Sequence, residues 1–173
     1  TAVREGDKLT VYDSTQWLNG TAAVLAETFG IPRTNVRVIC PYVGGGFGCK
    51  GFIWPHTLLA AMASKLTGEP VKLVLTRAQQ FVSCGHRPPT KQDMSLSATT
   101  DGKLTGIRHI TSMTGSALST FLEPSAMGTT RLVYDVPNVQ YKHKVSQVNI
   151  ASPTFMRAPG EASGTFALES AMD

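Results

Sequence analysis

The stretch "PYVGGGFGCKG", residues 41–51, places five glycines around one phenylalanine, one cysteine and one lysine. Glycine loses more conformational freedom on folding than any other residue, so a run this permissive takes a fixed shape only where something compensates. A tight turn, a phosphate held by backbone N–H groups, or a bulky cofactor pressed against the main chain would each do so. The flanks set the frame. "VRVIC" (36–40) has the length and β-branching of a strand. "PHTLLAAMASKLTG" (55–68) reads as a helix, with Pro55 in its first turn and Gly68 at its end. The loop therefore joins a strand to a helix.

Two phosphate motifs can be tested against it. A Walker A loop requires Gly-Lys followed by Ser or Thr; here Lys50 is preceded by Cys49 and followed by Gly51, so the magnesium-binding hydroxyl is missing. Gly46, Gly48 and Gly51 fit G-x-G-x-x-G after a strand. The dinucleotide mechanism needs a helix N-terminus inside the motif, and Pro55 begins the helix about four residues too late. Glu69, where a ribose-binding acid would be sought, sits in the turn "TGEP". A ligand-free turn packing strand to helix remains open at this point.

The rest of the chain reads as strands and helices in mixed order. "KLTVYDST" (8–15) alternates as a strand, and "NGTAAVLAETFG" follows as a helix capped by Thr21 or Asn19 and closed by Gly30. "IPRTN" is a turn and "VKLVLTR" (71–77) a third strand. A hairpin turns at Asp101-Gly102, residues 138–152 alternate again, and a last helix starts near Glu161. Hairpins mixed with strand–helix units argue an α+β fold, a mixed or antiparallel sheet with packed helices, rather than a doubly wound one. The 173 residues suit one domain, and 42% hydrophobic content permits a core. A net charge of +4 is spread along the chain, and its densest basic stretch, "YKHK" (141–144), reads as a solvated strand face. That pattern argues against nucleic acid as a partner. No apolar run reaches the ~18 residues of a membrane span. Cys40, Cys49 and Cys84 have no metal-ligand spacing and suggest no disulfide framework, which favours a cytoplasmic over a periplasmic setting. The chain opens at Thr1 in strand-like sequence and stops inside helical "ALESAMD", so residues 1–173 read as part of a larger polypeptide.

The glycine loop has companions. "TFMRAPGEASG" (154–164) is a second Gly/Pro-punctuated bend, carrying Arg157, and "DSTQW" (13–17) ends the first strand with Gln16, whose amide both donates and accepts. Together "STQ", "GGGFGCK" and "MRAPGE" resemble the molybdenum-cofactor subunit of the xanthine dehydrogenase and aldehyde oxidoreductase family, the molybdenum hydroxylases. The interval from Gln16 to Phe47 is the family's usual one. The resemblance runs along essentially the whole chain but covers only part of such a subunit. It implies the α+β molybdopterin-binding domain and a molybdenum-pterin cofactor, possibly in a dinucleotide form. It also implies partner domains or subunits carrying 2Fe-2S clusters and FAD, alongside the remainder of the molybdenum subunit. The implied reaction is hydroxylation of a carbon with water as oxygen source. By position, Gln16 would lie beside the molybdenum's oxygen ligand. Phe47 would offer its backbone N–H there, with Gly46 and Gly48 permitting close approach, and Arg157 would stand on the other side. The metal would take no ligand directly from these residues. The family's general-base glutamate would lie beyond residue 173, so the isolated chain is expected neither to hold the cofactor stably nor to turn over.

Plainer readings stand beside these. Gln16 could satisfy backbone at a strand end, and Arg157 could be a surface ion-pairing residue. The Phe47 ring reads as a core anchor, because the resemblance uses only its amide. Cys49 reads as a small buried residue, Glu161 as a first-turn carboxylate favoured by the helix dipole, and His86 as structural. On substrate, purine-hydroxylating relatives carry a glutamate where Gly51 stands and a phenylalanine where Pro159 stands, and "LEPSAMG" lacks their arginine. An aldehyde or another small carbonyl compound is favoured over a purine, with an N-heterocycle as the further possibility. The alternative function is a non-catalytic α+β binding or assembly module of the same fold.

Overall fold

Ala2–Glu5 (β1) and Lys8–Tyr12 (β2) form a tight antiparallel hairpin, pairing from Ala2 with Val11 to Glu5 with Lys8. The turn is made by Gly6 in the left-handed region. This description rests on a computed structural model and covers residues 1–119, 121–124 and 126–173. The chain forms two compact units, Thr1–Gly85 and His86–Asp173.

In the first unit, helix α1 (Leu18–Phe29) carries the chain from β2 to Val36–Ile39 (β3), which pairs parallel to β2 with Leu9 opposite Val36 and Tyr12 opposite Ile39. Helix α2 (Pro55–Thr67) follows the glycine loop. The strand alternation turns Leu9 and Val11 inward, where both are 1% exposed. Ala22, Leu25 and Ala26 of α1 and Ala60 and Ala61 of α2 meet them at helical spacing. Burying each of the large aliphatic side chains contributes roughly 1.5–3 kcal/mol. Gly30 and Gly68 close α1 and α2 in left-handed geometry, and Pro55 opens α2, as expected. The N-terminus of α1 differs from expectation. Trp17 is its cap residue, and neither Asn19 nor Thr21 caps it. The Thr15 hydroxyl instead accepts from Trp17 N (3.0 Å), and Thr21 is buried inside the first turn.

The segment 71–77 is not a third strand. Only Val71 pairs, exchanging two backbone hydrogen bonds with Ala2. Thr76 then begins helix α3 (Arg77–Ser83) through a capping box: its side chain accepts from Gln79 N, and the Gln79 side chain accepts from Thr76 N. The capping box sets the start of α3, while residues 72–75 pair with no strand among the described residues, so their β-propensity is not used.

In the second unit, Thr90–Ala98 (β4) and Leu104–Ser116 (β5) form the expected hairpin around Asp101-Gly102. Asn138–Val148 (β6) pairs with β5 in parallel, giving the order β4-β5-β6 and a mixed sheet. A short helix, α4 (Thr130–Val133), precedes β6, and α5 (Glu161–Met172) packs against β4, burying Leu168 completely. His109 of β5 is also fully buried. Its Nε2 lies 2.8 Å from Gln92 Oε1, and its Nδ1 lies 2.8 Å from Thr130 Oγ1. Gln92 Nε2 donates to the Ser163 carbonyl, which can only accept. The Gln92 oxygen therefore faces the imidazole, which makes Nε2 the protonated nitrogen and Nδ1 the acceptor. Among the described residues no helix is long and apolar enough to cross a membrane.

Candidate functional site

Because β2 and β3 are parallel neighbours, their C-terminal ends open at the same edge of the sheet. The segments that leave them, 13–17 and 40–51, must therefore meet. Their meeting is held by specific bonds. Gln16 N donates to the Lys50 carbonyl (2.8 Å), and the Gln16 Oε1 accepts from Gly48 N (3.0 Å) and Lys50 N (3.2 Å). The Ser14 hydroxyl donates to the Val43 carbonyl (2.6 Å) and accepts from Lys50 Nζ (2.7 Å). Lys50 Nζ also donates to the Val43 carbonyl, tying the two ends of the glycine run together. Trp54 Nε1 closes the far end on the Cys49 carbonyl (2.8 Å).

The glycines answer to close approach. A Cβ on Gly46 would lie 2.2 Å from Gln16 Oε1 and 2.5 Å from its Cδ, so the carboxamide fits only against a bare α-carbon. Gly44, Gly45 and Gly48 have positive φ, and so does Phe47, at 51°. A phenylalanine there costs about 1–2 kcal/mol, a strain that marks functional loops. The Phe47 ring is 63% exposed and is not the core anchor expected from the sequence. A left-handed backbone between glycines turns this side chain away from the unit's core.

The result is a run of unmatched donors. Among the described residues, the N–H groups of Gly44, Gly45, Gly46 and Phe47 have no protein acceptor. With Gln16 Oε1 saturated by two donors, its Nε2 amide is the end left to donate. Successive amides in a left-handed turn bind anions, and the Lys50 ammonium adds positive charge within the loop. Among the described residues, no three His, Cys, Asp or Glu side chains gather into a metal-ligating cluster. Burial pushes the Cys49 thiol up, partly offset by the positive charge of Lys50. The donor set fits a large anionic group bearing oxygen ligands. Helix α2 begins at Pro55, after a 3₁₀ turn at Cys49–Gly51, so no helix N-terminus lies inside the G-x-G-x-x-G glycines.

Arg157 lies in the second unit, in the bend between β6 and α5. It is exposed, and its guanidinium makes no hydrogen bond or ion pair among the described residues. Its backbone is held firmly. Arg87 Nη2 donates to the carbonyls of Met156 and Arg157, both at 2.5 Å, and Nη1 donates to that of Ala158 (3.3 Å). Glu123 Oε1 sits 3.5 Å from Arg87 Nη1 and accepts from Gly160 N (3.2 Å). Burial pushes the Glu123 carboxyl up, opposed by Arg87 and the Gly160 amide. His86 holds the bend through its carbonyl, which accepts from Thr154 N.

The structure thus gathers Gln16, Gly46, Phe47 and Gly48 at one sheet edge and presents Arg157 on a clamped bend. Sequence reasoning missed Ser14, Lys50, Arg87 and Glu123 as supports. Only Lys50, beside the glycines, carried a local signal.

Against known proteins, residues 1–173 match the molybdopterin cofactor-binding domain throughout. The chain is 38% identical over 172 residues to the aldehyde oxidoreductase molybdenum-binding subunit PaoC of Escherichia coli, covering 99% of this chain and 23% of that protein. It is 34% identical to an indole-3-acetaldehyde oxidase of Zea mays, covering 98% of this chain and 13% of that protein. Among solved structures it matches quinoline 2-oxidoreductase from Pseudomonas putida 86 with a TM-score of 0.89 and 27% identity, over 98% of this chain and 22% of the other. The aldehyde oxidoreductase of Desulfovibrio gigas, at 20% identity and a TM-score of 0.76 over 96% of this chain and 19% of the other, shares the fold. The chain therefore spans about a quarter or less of the length of these relatives.

Proposed function

The chain belongs to the molybdopterin cofactor-binding domain family, and from that premise we propose that it forms one wall of the molybdenum site in a larger aldehyde-oxidising molybdenum hydroxylase. The observation that carries the reading is the donor set at the sheet edge: the unmatched amides of Gly44–Phe47 beside a Gln16 carboxamide whose oxygen is already occupied. When bound, a molybdenum-pterin cofactor supplies the redox chemistry that hydroxylates a carbon with water as oxygen source. Phe47 N–H and Gln16 Nε2 would donate to its oxygen atoms, as preorganised amides that stabilise negative charge. Gly46 and Gly48 let the main chain approach, and the Arg157 guanidinium supplies a positive charge from the second bend. The general base would come from chain beyond residue 173, and so would much of the pterin pocket.

Substrate choice follows from what lines the loops. Gly51 and Pro159 offer neither a carboxylate for polar readout nor an aromatic face for stacking, and together their absence weakens purine recognition by several kcal/mol. PaoC is named an aldehyde oxidoreductase, which supports an aldehyde as substrate. The reading places iron–sulfur and FAD domains or subunits alongside as electron carriers. Three free cysteines agree with a cytoplasmic setting. The non-catalytic assembly reading is disfavoured by relatives named as oxidoreductases and oxidases. The test is the full-length protein, purified from cells that make molybdopterin. It should contain molybdenum near one per chain and reduce a dye with benzaldehyde but not with xanthine, while residues 1–173 alone should hold none. A full-length protein without molybdenum would overturn the proposal.

A further inference from the structure

Arg157 occupies an unusual piece of backbone. Ala158, next to it, has a φ of 54°, and Gly160, which opens α5, has a φ of 85°. A non-glycine residue in the left-handed region persists only where its surroundings over-determine it. The surroundings here are two side chains distant in sequence. The Arg87 guanidinium reaches three consecutive carbonyls, those of Met156, Arg157 and Ala158, and Glu123 takes the Gly160 N–H. The two are joined through Arg87 Nη1 and Glu123 Oε1 at 3.5 Å, with the Glu123 side chain only 3% exposed. Four backbone groups over residues 156–160 are thus fixed by one ion pair. The Arg157 side chain itself has no partner among the described residues that would fix it.

We propose that Arg87 and Glu123 are positioning residues that lock the 156–160 bend and so aim the Arg157 guanidinium. The proposal rests on the reading of Arg157 as a site residue given above. A planar fork with donors on two nitrogens spans three successive carbonyls in fixed geometry, whereas a lysine side chain has a single nitrogen and must reach all of them from one point. Glu123 has a second task, because a buried carboxylate beside Gly160 N–H neutralises Arg87 and keeps it turned toward the bend. Its other oxygen, Oε2, has no hydrogen-bond partner among the described residues, so this carboxylate is held for its charge on Arg87 and its single bond to Gly160.

The experiment uses the full-length holoenzyme, with benzaldehyde as substrate and ferricyanide as acceptor. Variants are Arg87→Lys, Glu123→Gln, Arg157→Ala and the double variant Arg87→Lys/Arg157→Ala. Glu123→Gln keeps volume and the Gly160 acceptor, which guards against simple misfolding. Hydrogen exchange of peptides spanning 154–160 should accelerate about tenfold or more in Arg87→Lys and Glu123→Gln, the effect of losing a charge-assisted bond. Exchange in the β4–β5 hairpin should stay unchanged. Turnover should fall in Arg87→Lys with molybdenum content retained, and adding Arg87→Lys to Arg157→Ala should cause no further loss. Unchanged exchange at 154–160, or an equal loss from Arg87→Lys in the Arg157→Ala background, overturns the positioning role. If Arg157→Ala alone leaves turnover intact, the site reading of Arg157 fails. The exchange data then still decide whether Arg87 and Glu123 lock the bend.

Discussion

Replacing Gly46 by alanine tests the site at its tightest contact. The new methyl would sit 2.2 Å from Gln16 Oε1, 2.5 Å from Cδ and 2.8 Å from Cγ, all below contact distance. These atoms end a flexible, exposed side chain, so Gln16 swings out and the backbone stays. That displacement breaks the bonds from Gly48 N and Lys50 N to Oε1. Each neutral hydrogen bond contributes roughly 0.5–1.5 kcal/mol net. Water replaces part of this at an exposed site, so the expected cost is about 1–2 kcal/mol, a shift of a few degrees in the melting midpoint. The functional cost is larger, because the Gln16 carboxamide is no longer anchored through Oε1 with its Nε2 left free to donate. Gln16→Ala should give the same loss of molybdenum, and the double variant should be no worse than either single one, since both act through one carboxamide. Molybdenum per chain and thermal denaturation of the full-length protein measure both sides. Full molybdenum loading in Gly46→Ala, or losses that add in the double variant, would refute the reasoning.

Gly164→Ala should destabilise the second unit by about 1–3 kcal/mol or more, because its Cβ would fall 1.7 Å from the Ala126 carbonyl oxygen, a backbone atom that cannot swing aside; chemical denaturation reads it. Thr76→Ala removes one half of the capping box and should cost α3 about 1 kcal/mol, seen as lost amide protection over 77–83 with little change elsewhere. Burial pushes the His109 pKa below its ordinary value of 6.5, so the folded state holds it neutral. Its contribution to stability is present above pH 6.5 and is lost as pH falls through the lowered folded value, with a slope of up to about 1.4 kcal/mol per pH unit. Histidine NMR should show an Nε2–H imidazole that takes up its proton only below pH 6.5, and a ring that charges at or above the ordinary value would contradict the network drawn around it.

How much of this was legible depended on how local each cause was. Pro55, Gly68, Gly30 and Asp101-Gly102 act within their own turns, and each boundary they announce is where the chain places it. The strand at 2–5 is four residues long and takes its identity from the partner opposite. Residues 71–75 carry β-branching but only Val71 finds a partner strand, and the T-x-x-Q cap at Thr76 sets where α3 begins. The parallel pairing of β6 with β5 is a tertiary choice that alternation cannot express. At the site, the pairing of Gln16 with the glycine loop was legible only through the resemblance carried by "STQ" and "GGGFGCK"; the parallel strands that bring the two segments together were not. The orientation of the Gln16 amide and the Arg87–Glu123 clamp emerge only from contacts between residues tens of positions apart.

The most direct measurement is the molybdenum anomalous difference density in a crystal of the full-length holoprotein. The account predicts a single strong peak whose oxygen ligands lie within hydrogen-bond reach, roughly 2.7–3.2 Å, of Phe47 N and Gln16 Nε2. A peak remote from both groups would contradict it.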